Sequence, residues 1–347
     1  MKKTINKLPK SQLAIDVSVP EDVFETYRTK AVGNLAEHVE IDGFRKGKAP
    51  KELIEKQLPA MAVMEEMASL AINDHFPKIL IEEKIDAIGR PSIAIKKIAP
   101  GNPFEFTATV SVLPEVKLPK YKDLAGKVVA EKAEITVTDE DLDQAIKELK
   151  KARAHQELEH KDEKHDHAEF DKIEFDATLT DEYVKDLGPF GNVEEFKAKF
   201  RENLVADKQN QAREKRRIAI LESILEKTEV EIPDVLVESE LEGLMGRLQA
   251  DVANIGVSFE EYLKHINKTE EDIRKDFQPD AEKRAKMELV MHTIGTKEDI
   301  KAKPEDIDGE VMKLMAMYKD ADETRARVYV THLLTNEAIF RFLEESK

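Results

Sequence analysis

The stretch Asp42-Gly43-Phe44-Arg45-Lys46-Gly47-Lys48-Ala49-Pro50 sets three cations, one aromatic ring and two glycines in a short break between two helical patterns. Ahead of it, Pro20 is followed by Glu21 and Asp22, which is how a helix start reads. Val23, Tyr27, Ala31, Leu35 and Val39 then recur at helical spacing, predicting one helix from Pro20 to about Val39. Behind it, Pro50 suits the first position of a helix over 51–57, because a proline there gives up no hydrogen bond it could have made. A loop clamped at both ends offers Phe44 no apolar face to join. The expectation is an exposed ring between cations, suited to a surface that carries both phosphates and apolar patches.

Two other readings compete. A phosphate-cradling loop needs G-x-x-x-x-G-K-[ST] after a strand. Here three residues separate Gly43 from Gly47, Ala49 stands in place of the hydroxyl, and a helix precedes, so that reading fails. The plainer alternative is a solvated helix–helix turn with incidental charge, and composition alone favours it.

Gly43-Phe44-Arg45-Lys46-Gly47-Lys48-Ala49-Pro50, with Ile41-Asp42 ahead of it, resembles the G-F-R-x-G-K-x-P signature of the trigger factor family, bacterial chaperones that dock beside the ribosomal exit tunnel. The resemblance implies ribosome binding through Gly43, Phe44, Arg45, Lys46, Gly47, Lys48 and Pro50. Phe44, Arg45 and Lys46 would form the tip that contacts an exit-tunnel protein and neighbouring ribosomal RNA. It runs through the N-terminal third and again through the C-terminal half, but not through the middle.

A chain of 347 residues should hold two or more domains with sizeable cores. Its 37% charged and 41% hydrophobic residues suit a folded, highly soluble protein. With no cysteine, disulfide and thiolate chemistry are excluded. No apolar run reaches the length of a membrane span, and Thr4-Ile5-Asn6-Lys7 supplies no signal-peptide core, so a cytoplasmic location is expected. Charge is uneven: residues 1–52 are net +2 and the remainder net −19. So acidic a body is repelled by RNA, which confines any ribosome contact to the N-terminal region.

Gln12 to Val19 alternates as a half-buried strand, and Thr4 to Leu8 is a candidate partner across Pro9-Lys10. Leu58 to Phe76 reads as a helix that Ile79 to Ile85 continues or follows, with Gly89-Arg90-Pro91 ending the helical run. Ile93 and Ile95 lie in one strand, and Phe104 to Val112 forms another across the Pro100–Pro103 turn. Leu113 to Val137, spaced by Pro114 and Pro119, reads as an extended connector. Thr138-Asp139-Glu140-Asp141 caps a helix. Four histidines (His155, His160, His165, His167) then fall among acids. Their spacing fits no helix face and no common zinc pattern, so a solvated linker is preferred to a metal site.

From Val193 the chain is nearly all helical. A long helix runs to Lys227 with a polar middle over 207–217, a second begins at Pro233, and Ser258-Phe259-Glu260-Glu261 is a capping box for a third. A fourth starts at Thr269 and is expected to break at Gln278-Pro279. A fifth follows Pro304, and the last spans Glu323 to Glu345. This order is similar to the C-terminal chaperone domain of the trigger factor family. The family usually carries a peptidyl-prolyl isomerase domain ahead of it, for which about Ala152 to Thr178 leaves too little chain.

The fold class is therefore α+β: a small ribosome-docking domain at 1–113, then an elongated helical chaperone domain with projecting hairpins. A connector and first helix occupy 114–151, a short acidic His-rich linker 152–178, and the helical domain 179–347. No catalytic constellation, nucleotide site or cofactor site is recognisable, so neither enzyme activity nor a cofactor is expected. The resemblance implies an ATP-independent chaperone whose partners are the ribosome and nascent or unfolded polypeptides, with a homodimer off the ribosome as a further option. A ribosome-independent holdase or assembly chaperone is the alternative, and a prolyl isomerase is disfavoured by the missing domain. Met312, Met315, Met317 and Tyr318 are candidates for an adaptable client surface, since thioethers repack around varied partners. The plainer reading puts these methionines in the core of a helical hairpin. Val328, Leu333, Ile339 and Phe342 carry the same ambiguity.

Overall fold

The computed structural model describes residues 1–36, 58–131, 136–160, 175–318 and 321–346. The chain folds into two compact units, neither of which is continuous in sequence: 1–118 with 228–299, and 119–227 with 300–347.

In the first unit, strands β1 (Lys2–Leu8), β2 (Gln12–Val19), β3 (Ala87–Lys97) and β4 (Phe104–Val112) form an antiparallel sheet of order β1-β2-β4-β3. β1 pairs β2 in the register Thr4↔Asp16 and Leu8↔Gln12. Alternation then places Ile15, Val17, Val19, Phe104, Phe106, Ala108 and Val110 on the buried face. Helices α1 (Glu21–Glu25), α2 (Arg28–Ala36) and α3 (Ala60–Glu82) cover that face with Phe24, Val32, Met67, Ala71 and Ile79.

Two expectations fail in the first stretch of this unit. The helix read from Pro20 onward is broken, because Thr26 donates its hydroxyl to the Val23 carbonyl at 2.6 Å and the chain turns before Arg28. Gly89-Arg90-Pro91 does not end a helix. α3 ends earlier, on Lys84 in the left-handed conformation (φ 54°), with the Ile85 amide donating to the Leu80 carbonyl and the Lys84 amide to Ile81. Gly89-Arg90-Pro91 lies inside β3, where the register shifts between Ile88 and Ser92, and Pro91 is tolerated because β3 is an edge strand.

The second stretch of this unit holds α8 (Asp234–Asn254), the short α9 (Phe259–His265) and α10 (Glu270–Lys297). Val237 and Leu241 of α8 pack against Ala281 and Ala285 of α10. α10 is one continuous helix, although Pro279 was expected to interrupt it. An internal proline costs about 3 kcal/mol, but Phe277, Ala281 and Ala285 pack against α8 on both sides of it and hold the two halves in line. The capping box at Ser258 and Glu261 forms as read.

The second unit is helical: α4 (Tyr121–Ala130), α5 (Asp139–His160), α6 (Asp181–Leu187), α7 (Val193–Glu226), α11 (Pro304–Met317) and α12 (Glu323–Glu345). α7 spans the length expected, and Thr138 caps α5 by accepting the Asp141 amide at 3.1 Å. The extended connector does not survive as such. Tyr121, Leu124, Ala125 and Val128 recur at helical spacing after Pro119, and α4 buries Tyr121 and Ala125.

Candidate functional site

The proposed docking residues Gly43, Phe44, Arg45, Lys46, Gly47, Lys48 and Pro50 lie outside the described residues, as do His165 and His167. What the structure gives is the pair of helices on either side of the loop. α2 packs along α3 through Ala31, Val32 and Leu35, and Asn34 donates to Glu66 at 2.7 Å. At the α1–α2 bend, Tyr27 donates its hydroxyl to Asp74 of α3 at 2.7 Å. Burial, and then this bond to a carboxylate, push the phenol up to about 12, so it stays a donor at physiological pH. The helix leading into 37–57 is thus pinned to the helix that follows it.

The second candidate is the hairpin of α11 and α12. Pro304 opens α11, and Asp322 caps α12 by accepting the Arg325 amide at 2.8 Å. Val311, Ala326 and Val330 are buried where the helices meet, and Arg327 reaches Asp308 across the pair at 2.7 Å. That seam is narrow, and the remaining apolar side chains stay in solvent. Met312 is 69% exposed, Met317 75% and Tyr318 62%, whereas Met315 is half-buried. The hairpin-core reading therefore fails for Met312 and Met317 and holds only in part for Met315. Val328 and Leu333 are exposed, Ile339 is buried and Phe342 half-buried. Tyr329, which the sequence reading missed, is exposed one turn before Leu333, and the four-residue spacing was the available signal.

The C-terminal half of α12 is anchored. Ile339 and Leu343 are buried in a unit whose α7 buries Ile220, Leu221, Ile224 and Leu225. Arg217 of α7 donates to Glu337 at 2.7 Å and to Glu344 at 3.0 Å, with its guanidinium 5.0 Å from the Phe340 ring. Arg213 pairs with the same two glutamates. Bonds from Arg217 hold the Glu337 carboxyl below its ordinary value. Burial pushes Glu344 up, but bonds from Arg213 and Arg217 outweigh it and the net direction is down. The hairpin is an apolar projection fixed by a charged clamp at its base.

Among the described residues, no group of three His, Asp or Glu side chains is disposed to hold a metal, and no helix is long and apolar enough to cross a membrane. Two family models match the chain: the bacterial trigger factor protein model over residues 1–149, and the bacterial trigger factor C-terminus model over residues 192–346. The chain belongs to the trigger factor family. Only residues 150–191 fall between the two matches, so the chain is a trigger factor form without the central isomerase domain. A trigger factor from Pelotomaculum thermopropionicum is 25% identical, the match covering 99% of this chain and 94% of that one. Those from Moorella thermoacetica and Caldicellulosiruptor bescii are each 24% identical, covering 93% and 99% of this chain and 89% and 96% of theirs. A solved trigger factor chaperone, studied for promiscuous substrate recognition in folding and assembly, shares the fold at 16% identity with a TM-score of 0.57 over the whole of both chains. The α+β class and the small N-terminal sheet followed by helical elements are the trigger factor fold.

Proposed function

We propose that this protein is an ATP-independent chaperone. It docks on the ribosome, against an exit-tunnel protein and ribosomal RNA, through the Gly43–Pro50 loop. It then covers apolar segments of nascent or unfolded chains with the α11–α12 hairpin. The observation that carries this reading is the hairpin itself, where Met312, Met317, Tyr318, Val328, Tyr329 and Leu333 stay in solvent on a projection whose base is clamped. Isolated exposed apolar residues are ordinary, but six on one helical pair suit a surface that is covered by something else. Methionine supplies the adaptability that varied clients demand. The trigger factor relatives support the same class of activity.

Docking rests on Phe44, Arg45 and Lys46, whose charge and ring fit a protein surface bordered by phosphate, while the acidic remainder is turned away from RNA. Only about three phosphates are engaged, so binding weakens gently as salt rises. The work is done by reversible binding in the cytoplasm, without enzymatic turnover and without a cofactor. Residues 1–113 carry the docking role, and off the ribosome two copies pair through the same hairpin.

Pelleting with purified ribosomes tests docking. The F44A/R45A/K46A variant should stay in the supernatant while its far-UV circular dichroism matches wild type; equal pelleting of the two rejects the loop assignment. If wild type itself fails to pellet yet suppresses aggregation of a denatured protein, the ribosome-independent holdase is the correct reading. The M312E/M317E variant tests the hairpin, and undiminished suppression of aggregation by that variant rules it out as the client surface.

A further inference from the structure

We infer that Met312 and Met317 form a reversible oxidation site through which peroxides turn down client binding, an inference that rests on the hairpin being the client surface. The chain has ten methionines and no cysteine, so a peroxide meets no thiolate, the usual first target, and the thioethers are the reactive sulfurs that remain. Their exposure divides sharply. Met64, Met67, Met245 and Met291 are buried, all in the first unit, and Met287 and Met315 are half-buried. The exposed ones are Met1, Met61, Met312 and Met317, and the most exposed two sit on the α11–α12 hairpin. Susceptibility to oxidation follows exposure, so the sulfurs offered to clients are also those offered to solvent oxidants.

The chemistry is a two-electron transfer from thioether to peroxide. A sulfur lone pair attacks one oxygen of hydrogen peroxide, the S–O bond forming as the O–O bond breaks. The departing hydroxide takes the proton from the new S–OH group, leaving a sulfoxide and one water. Sulfur is oxidised and the peroxide oxygen reduced. A methionine sulfoxide reductase drawing two electrons from a dithiol returns the thioether and releases water.

Oxidation reverses the property that the hairpin uses. A thioether buries against a client's apolar side chain without losing any strong hydrogen bond to water. A sulfoxide is a strong acceptor, and burying it unpaired carries a desolvation cost. With Val328, Tyr329 and Leu333 unchanged, client binding should be weakened rather than abolished, on the order of tenfold when both sulfurs carry oxygen.

The test uses the full chain and hydrogen peroxide, with peptide mass mapping to count added oxygens and aggregation suppression of a denatured protein as the readout. Met312 and Met317 should gain oxygen before Met67 and Met291, and suppression should fall in step. Methionine sulfoxide reductase should restore it. The M312L/M317L variant lacks both sulfurs, so whatever suppression it shows before peroxide, measured against its own untreated sample, it should keep after peroxide. The inference is overturned if the two sulfurs oxidise no faster than the buried ones. It is equally overturned if they oxidise while suppression is unchanged, or if M312L/M317L loses suppression as wild type does. Failure of the underlying client reading shows separately, as indifference of the untreated protein to M312E/M317E.

Discussion

Arg217 is the one charged side chain buried among the described residues, and its pairing explains a stretch that the sequence leaves ambiguous. The polar middle of α7, 207–217, reads as a bridging or protruding segment. In the structure its last turn meets Glu337 and Glu344, which lie two helical turns apart on α12 and so present both carboxylates on one face. The spacing of each partner is visible in the sequence, but nothing local says that a residue near 217 finds one near 340. Replacing Arg217 with Met leaves the half-buried Glu344 with only Arg213 to answer it. The cost should be about 2–3 kcal/mol, at the lower end for a buried pair because Glu337 remains more than a third exposed. The pH dependence has a definite sign. Both carboxyls are depressed in the folded state, so their contribution is complete above the ordinary carboxylate range and is lost as pH falls through the depressed values. Melting curves taken downward from about pH 4.5 should therefore fall more steeply for wild type than for R217M. Parallel curves would mean the clamp contributes nothing.

α12 is two elements in one helix. Its first half packs on α11 through Ala326 and Val330, and its second half is held by the clamp and by Ile339 and Leu343. A charge placed in the first half should therefore unzip the hairpin without melting the base. Val330→Asp buries a carboxylate with no partner among the neighbouring apolar residues, at a cost of several kcal/mol that the narrow seam cannot absorb. Hydrogen exchange should show amides over 304–330 losing protection while those over 335–345 keep theirs. Loss of protection along the whole of α12 would show the two halves to be one cooperative element. The sequence made the existence of α11 and α12 plain, since Pro304 leads the first and Glu323 to Glu345 reads as the last helix. It did not show which apolar residues the pairing covers, since Val311 and Met312 are adjacent and equally apolar, and only the partner's position buries the first. α4 was missed for the opposite reason. Pro114 and Pro119 punctuate the chain so strongly that a ten-residue helix after them is masked, and its stripe acquires meaning only when Tyr121 and Ala125 have a surface to meet.

At the scale of the whole molecule, order along the chain and grouping in space disagree. Residues 228–299 follow a long helix and precede a hairpin, so the sequence groups them with both at 179–347, yet they pack with 1–118. The join is made of small, specific features. Lys10 and Ser11 hold the β1–β2 turn in the left-handed region, the Lys10 amide donates to Glu231 at 3.1 Å, and its ammonium reaches Asp234 at 2.7 Å. Gly89 adopts φ 73° beside α8, and a Cβ there would lie 2.6 Å from Val235 Cγ2, so only glycine admits the approach. Lys117 and Glu229 form an antiparallel bridge, which brings the two ends of the intervening 119–227 segment side by side. If these features define a unit, a chain running 1–118, a short Gly-Ser linker, then 228–299 should fold by itself. It should unfold in one cooperative transition and be more stable than 1–118 alone by about 1–3 kcal/mol. The exposed Lys10–Asp234 pair adds little to that, and apolar burial around Val235 supplies most of it. Hydrogen exchange at the Lys10 amide reads the join directly, because its acceptor comes from residue 231 and is lost in 1–118. A linked chain in which that amide exchanges as fast as in 1–118, with an unchanged denaturation midpoint, would show that the hairpin of α8 and α10 rests on the sheet without stabilising it.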